Sequence, residues 1–276
     1  MNQLGLELLN ASQVTAEDYR RRKKRIRLVS AVRHAAKSPW VMNRLLNHSL
    51  QAFRDRTDEV NFMLPPVWLQ QCLGQKLVMR IPVQAISFHM ADWLQVKEDR
   101  LHTSDYFLSC GDLSSARYEI ARLPVLKEVQ ELMASGWQFK RTTSYAKLLQ
   151  AIDQGRSITR QQMKLDTEGK IQAYFQRFLE LHRSVEQYGV LSNQEVIHQL
   201  GLQADREIGI ALDRDGTVIK LHGGKHRFAL AVAHQLRKIP VELRMVHAQL
   251  LSDTCKKHGC TPVQAIELLV QRLQQI

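Results

Sequence analysis

Apolar residues along this chain keep two rhythms. Between 168 and 187, Ile171, Tyr174, Phe175, Phe178 and Leu181 recur every three or four residues, which predicts a helix with one buried stripe. The same spacing predicts helices over about 117–134, 143–153 and 193–200, and further helices over 248–276. The last of these opens at Thr261-Pro262, in cap-then-proline order. At the other end, 14–60 reads as helical. Ser12 or Thr15 can cap, Glu17 and Asp18 suit the first turn, and Pro39 interrupts before Trp40, Leu45, Leu46 and Leu50 resume the pattern. Leu64-Pro65-Pro66 marks a boundary.

Alternation and β-branched runs mark the strands. Residues 76–90 read as one strand, with Pro82 suited to an edge or to a first position. Residues 92–112 read as irregular. Residues 207–221 read as two short strands joined by Asp213-Arg214-Asp215-Gly216, where Gly216 can take positive φ. A helix over 228–236 and a strand over 238–246 follow. The fold class is therefore α+β: a small mixed β-sheet core with helices around it. The expected organisation is a basic helical N-terminal extension (1–66), a core (76–247) that holds a helical insertion (about 117–200), and a helical tail (248–276).

Between the hairpin and the next helix stand Gly223, Gly224, Lys225, His226 and Arg227. A glycine pair opening a helix and followed by three basic side chains suits an anion. The glycines admit a ligand to the backbone, the first helical N–H groups lack intrahelical partners, and Arg can grip two phosphate oxygens. The alternative is a tight strand-to-helix turn with His226 and Arg227 on a solvated face. The spacing is neither a P-loop nor a Rossmann fingerprint.

The ordered set Arg214-Asp215-Gly216, Gly224-Lys225-His226-Arg227, Ala229-Leu230-Ala231, Ile239-Pro240-Val241 and His247 resembles the ParB/sulfiredoxin-like superfamily over about forty residues. Upstream, Gly111-Asp112-Leu113, Gly136-Trp137 with Thr142 and Tyr145, and Gly155 look like a bacterial and archaeal subgroup of it. The resemblance implies a ParB/sulfiredoxin-like, nucleotide- or phosphate-binding core. ParB domains bind and hydrolyse CTP, sulfiredoxin uses ATP, and a free serine kinase of the superfamily transfers phosphate. The implied ligand is a nucleoside triphosphate, ATP or CTP, with magnesium, held by Gly223, Gly224, Lys225, His226 and Arg227. Sulfiredoxin's turn carries a cysteine where Lys225 stands here, which argues against sulfinic-acid reduction. ParB's arginine-rich box and a following helix-turn-helix are also absent.

Phosphoryl transfer needs alignment and charge neutralisation more than covalent help. Lys225, His226 and Arg227 are the neutralisers, and His226 and Asp112 are the candidate catalytic groups. Asp213 and Asp215 suit the shaping of their turn more than metal binding. His222 and His247 read as packed histidines, and Trp137 either stacks on a base or belongs to the core. The expected activity is a nucleotide-dependent phosphotransferase or phosphohydrolase. The alternative is a non-catalytic, nucleotide-switched module that engages nucleic acid or an anionic membrane surface.

Charge bears on that alternative. Of a net charge of +12 over 276 residues, half falls in residues 1–60, where twelve Lys or Arg face six Asp or Glu. Its centre is Arg20, Arg21, Arg22, Lys23, Lys24, Arg25 and Arg27, on a helix whose other side offers Tyr19, Ile26, Val29 and Val32. Such a run suits a polyanion or a solvated face equally. Four cysteines without framework spacing, no long apolar span and no secretory leader point to a cytoplasmic protein. Cys255, His258 and Cys260 offer three donors where a structural zinc takes four, and they also suit a plain loop between helices.

Overall fold

A computed structural model describes residues 6–8, 13–32, 37–54, 61–96, 99–160, 163–201 and 206–276. The elements begin with β1 (Leu6–Leu8), α1 (Ala16–Val32), α2 (Pro39–Arg54), β2 (Asn61–Met63) and α3 (Pro66–Leu73). Six short strands follow: β3 (Val78–Pro82), β4 (Ile86–Met90), β5 (Trp93–Val96), β6 (Asp99–His102), β7 (Leu108–Cys110) and β8 (Arg117–Glu119). Next come α4 (Pro124–Ala134), α5 (Thr143–Asp153), β9 (Ile158–Arg160), β10 (Met163–Leu165), α6 (Glu168–Tyr188) and α7 (Asn193–Leu200). The chain closes with β11 (Ile208–Leu212), β12 (Val218–Lys220), α8 (Lys225–Ala233), β13 (Lys238–His247), α9 (Ala248–His258) and α10 (Pro262–Gln274). The class is α+β, with a mixed sheet. No helix among the described residues is long and apolar enough to cross a membrane.

The elements form two compact units. One comprises Met1–Ile120, Asp205–Gly223 and Pro240–Ile276, and the other Ala121–Ala204 and Gly224–Ile239. The stretches read from sequence as an N-terminal extension and a C-terminal tail thus lie in the unit that holds the sheet. The helical insertion corresponds largely to the second unit, which also takes in α8.

In the first unit an eight-stranded sheet runs β2-β7-β13-β11-β12-β4-β8, with β3 also paired to β13. Strand β13 is parallel to both β11 and β7, and β12 is parallel to β4. The hairpin β11–β12 and the outer pairs β2–β7 and β4–β8 are antiparallel. Strand β11 is buried at all five positions, as expected where both faces of a sheet are covered. Ala211, Ile219, Leu221 and Met245 join Met90, Leu94 and Leu113 in the core. Helix α10, closed by a Thr261–Gln264 capping box, buries Ile266, Leu269, Val270 and Leu273 and packs on α2, α9 and β3. A separate antiparallel sheet, β1-β5-β6, completes this unit.

Three expectations are corrected here. The single strand read over 76–90 is two, β3 and β4, because Pro82 ends the first and a 3-10 turn at Val83–Ala85 re-aims the chain. The irregular stretch 92–112 contains β5, β6 and β7, strands too short and too polar at Gln95, Asp99 and Arg100 to show a rhythm. The helix read from 117 begins only at Pro124, its first-turn proline, and residues 117–119 pair with β4 instead.

In the second unit α6 is the central helix. Ile171, Tyr174, Phe175 and Phe178 are buried along one stripe, as their spacing predicts. Helix α6 packs against α5 and α8, and α8 also packs against α4.

Candidate functional site

The turn after β12 is held by two buried cations. Lys220, the last residue of β12, is fully buried, and its ammonium donates to the carbonyls of Leu221 and Gly223. Arg244 on β13 is 6% exposed. Its Nη1 donates to the carbonyl of His222 and its Nη2 to that of Glu207, each at 3.2 Å. Arg244 is anchored by Glu242, two residues back on the same strand face, with Nε donating to Oε2 at 2.6 Å. Gln70 donates to the other oxygen of Glu242, also at 2.6 Å.

Three successive carbonyls, those of Leu221, His222 and Gly223, therefore point at buried positive charge. A trans peptide sets its N–H opposite its C=O. The N–H groups of His222, Gly223 and Gly224 are thus directed away from those cations. Among the described residues, no hydrogen bond takes up the N–H of Gly223 or Gly224. Successive N–H groups exposed by left-handed residues form an anion-binding nest. Gly223 has φ +96° and Gly224 φ +60°. Gly223 is also required by space, since a Cβ there would stand 2.9 Å from Arg244 Nη1 and 3.0 Å from the Glu207 carbonyl.

In the second unit Gly224 is the N-cap of α8, and no side chain caps that helix. Lys225, His226 and Arg227 make up its first turn, each half-buried. Arg227 Nη1 donates to the Leu191 carbonyl at 3.1 Å, which fixes the guanidinium. The His226 ring meets the edge of Phe178, centroids 4.9 Å apart, and its Nε2 lies 3.3 Å from the Tyr174 hydroxyl. That hydroxyl donates to Glu128 Oε2 at 2.7 Å. A phenol has one proton, so while Glu128 is ionised Tyr174 gives it to the carboxylate and accepts from His226 Nε2–H. In the neutral imidazole of His226 the proton then sits on Nε2. Burial pushes the Glu128 carboxyl up, against the pull of its Tyr174 hydrogen bond, and burial beside Glu128 raises the Tyr174 hydroxyl strongly.

The structure does not bring Asp112 to this turn. Strands β7, β11 and β13 run parallel, and Asp112 follows the C-terminal end of β7. The glycine turn lies beside the N-terminal end of β11, where Leu221 N–H donates to the Gly209 carbonyl at 2.8 Å. The two edges are about 16 Å apart along five strand residues. Asp112 instead accepts from the Ser114 backbone N–H at 2.9 Å, a bond that holds its carboxyl below the usual range.

The other sequence candidates have local partners. Asp215 accepts from the Thr217 N–H, and Asp213 pairs with Arg117 at 2.5 Å, so both shape the hairpin end. His247 is buried, lies 3.0 Å from the Gly111 carbonyl through Nε2, and caps α9 through Nδ1. His222 faces Asp92 at 3.4 Å. Trp137 stacks on His182 at 3.4 Å, and His182 is in turn 3.0 Å from His234. Cys255 and His258 belong to the end of α9 rather than to a loop, and Cys260 lies just beyond it. Among the described residues no group of three or more His, Cys, Asp or Glu is placed to hold a metal ion.

Against known proteins, the chain matches no family model, no curated protein and no solved structure.

Lys220, Glu242 and Arg244 were not singled out in the sequence, although each is a charge inside an apolar strand. Glu242 and Arg244, opposite in sign and two apart, share one face and so carried a pairing signal. Tyr174 read only as core, and Glu128 had no distinguishing pattern.

Proposed function

We propose that the protein binds the phosphates of a nucleoside triphosphate, ATP or CTP, at Gly223, Gly224, Lys225, His226 and Arg227, and acts as a nucleotide-dependent phosphotransferase or phosphohydrolase. The observation that carries this reading is the set of three successive carbonyls turned onto Lys220 and Arg244. It turns the N–H groups of the intervening peptides away from buried positive charge and leaves those of Gly223 and Gly224 without a bond among the described residues. The motif resemblance to ParB/sulfiredoxin-like proteins supports the same assignment.

The groups suit phosphate oxygens by type: backbone N–H of the glycine turn, and the positive charge of Lys225 and Arg227 in the first turn of α8. The described residues offer no preformed metal cage, so magnesium would arrive with the nucleotide and supply charge neutralisation at its phosphates. In the reaction an acceptor hydroxyl or water attacks the terminal phosphorus. Its proton passes to His226 Nδ1 as the new P–O bond forms, and the bond to the leaving diphosphate breaks. With Glu128 ionised, the Tyr174 hydroxyl accepts from Nε2–H, which is the tautomer this transfer uses.

Thermal shift of the full chain with ATP, CTP and pyrophosphate, each with and without magnesium, tests the reading. A ligand at a hundred times its Kd stabilises the native state by about 2.7 kcal/mol. Lys225→Ala should weaken the nucleotide that shifts the melt by about one to two decades. No shift with any of the three would refute the assignment.

A further inference from the structure

The basic run of α1 is split by the structure into two sets of residues with different work. One set ties the helix down. Arg22 Nε and Nη2 grip Asp105 at 2.8 Å each, and Nη2 also reaches Ser104 Oγ. Arg25 bonds the Tyr106 hydroxyl. Asp18 holds Arg100 at 3.0 Å, and Tyr19 meets Trp93 edge-on with centroids 5.3 Å apart. The other set points away. Arg20, Lys23, Lys24 and Arg27 recur at three- and four-residue spacing on the opposite side of the helix, and all four are exposed. The two acidic residues of α1 are already engaged, Glu17 with Arg21 at 2.7 Å and Asp18 with Arg100. Among the described residues, none of the four cations has an acidic partner.

From this we infer that α1 presents a fixed four-cation stripe that docks the phosphate backbone of a nucleic acid, without reading its sequence. Like charges at these spacings repel along a helix, and a polyanion relieves that repulsion. The stripe runs over eight residues, Arg20 to Arg27, about 10 Å along the axis. About six phosphates of a duplex, both strands counted, fall within that length, enough for one to each of the four cations. An anionic membrane is the poorer partner. Membrane-surface helices insert an apolar face beside their cations. Here the face opposite the stripe is turned onto Trp93, Asp105 and Tyr106, and among the described side chains of α1 only Tyr19 and Ile26 are large, apolar and exposed, too few for an inserted face. The inference stands apart from the nucleotide reading.

The test is fluorescence anisotropy of a labelled random-sequence DNA duplex titrated with the full chain between 50 and 200 mM salt. Four phosphate contacts predict a slope of log K on log salt of about −3.6 and a loss of about a hundredfold across that range. The variant R20Q/K23Q/K24Q/R27Q should bind with a slope near zero. The milder K23Q/K24Q should halve the slope, a graded readout that a folding defect would not produce. A control at the end of α9, K256Q/K257Q, should behave as the parent. No duplex binding at 50 mM, equal slopes for parent and stripe variants, or binding only to phosphatidylserine vesicles would overturn the inference.

Discussion

Replacing Arg244 separates what the buried ion pair does for stability from what it does for the turn. The pair lies at 7% and 10% side-chain exposure, with the guanidinium 2.5 Å from Glu242. Arg244→Met removes the cation but leaves the carboxylate buried, and the carbonyls of His222 and Glu207 lose their donors. Breaking a buried pair from one side costs about 3–5 kcal/mol. At roughly 2–4 °C per kcal/mol for a chain of this size, melting should fall by about 6–20 °C. In Glu242→Leu/Arg244→Met the orphaned charge is gone, and apolar replacement of a whole pair is often neutral or stabilising. The double variant should therefore recover most of the lost stability, read as the urea midpoint. It should not recover phosphate binding, because nothing then holds the His222 carbonyl inward and the Gly223 N–H outward. A double variant that binds pyrophosphate as the parent does would refute the link between Arg244 and the N–H array. A single variant within about 1 kcal/mol of the parent would refute the burial argument itself.

Other consequences follow from the same geometry. Gly223→Ala should cost about 1–3 kcal/mol from its positive φ, with added crowding against the Glu207 carbonyl, whereas Gly224→Asn, at φ 60° and ψ 26°, should stay within about 1 kcal/mol; denaturant midpoints compare them. Tyr174→Phe removes the hydroxyl between Glu128 and His226 and should cost about 1–3 kcal/mol, while lowering nucleotide turnover more than nucleotide affinity, which single-turnover kinetics would separate. Burial holds the His182 and His247 imidazoles below their ordinary 6.5, so below that pH the unfolded chain binds more protons than the folded one. Their contribution is complete above about pH 6.5 and is lost on acidification, and a His247→Gln variant whose urea midpoints between pH 7.5 and 5.5 track the parent's would contradict the His247 share. Glu128 works in the opposite sense: its raised carboxyl binds the proton more tightly when folded, so its contribution falls as pH rises above about 4.5.

What the chain determined by itself is what depends on neighbours in sequence. The Thr261-Pro262 start of α10, the Ser192 cap and Gly201 close of α7, the Pro39 start of α2 and the positive φ of Gly216 are set by side chains within four residues, so their signals survive in one dimension. The same holds for Gly223-Gly224 opening α8 and for the apolar stripe of α6. Strands β5 to β8 were not legible, because strands of three or four residues carry too little rhythm of their own and are ordered by pairing, across a short turn for β5 and β6 and with distant residues for β8, where Arg117 stands opposite Met90. The support beneath the candidate site is of that second kind. Lys220 and Arg244 read as ordinary charges until the sheet buries them. Only then does the cost of an unmatched charge force each onto carbonyls of the turn, and only tertiary structure decides that Arg244 reaches His222 while Asp112 stays at the opposite edge.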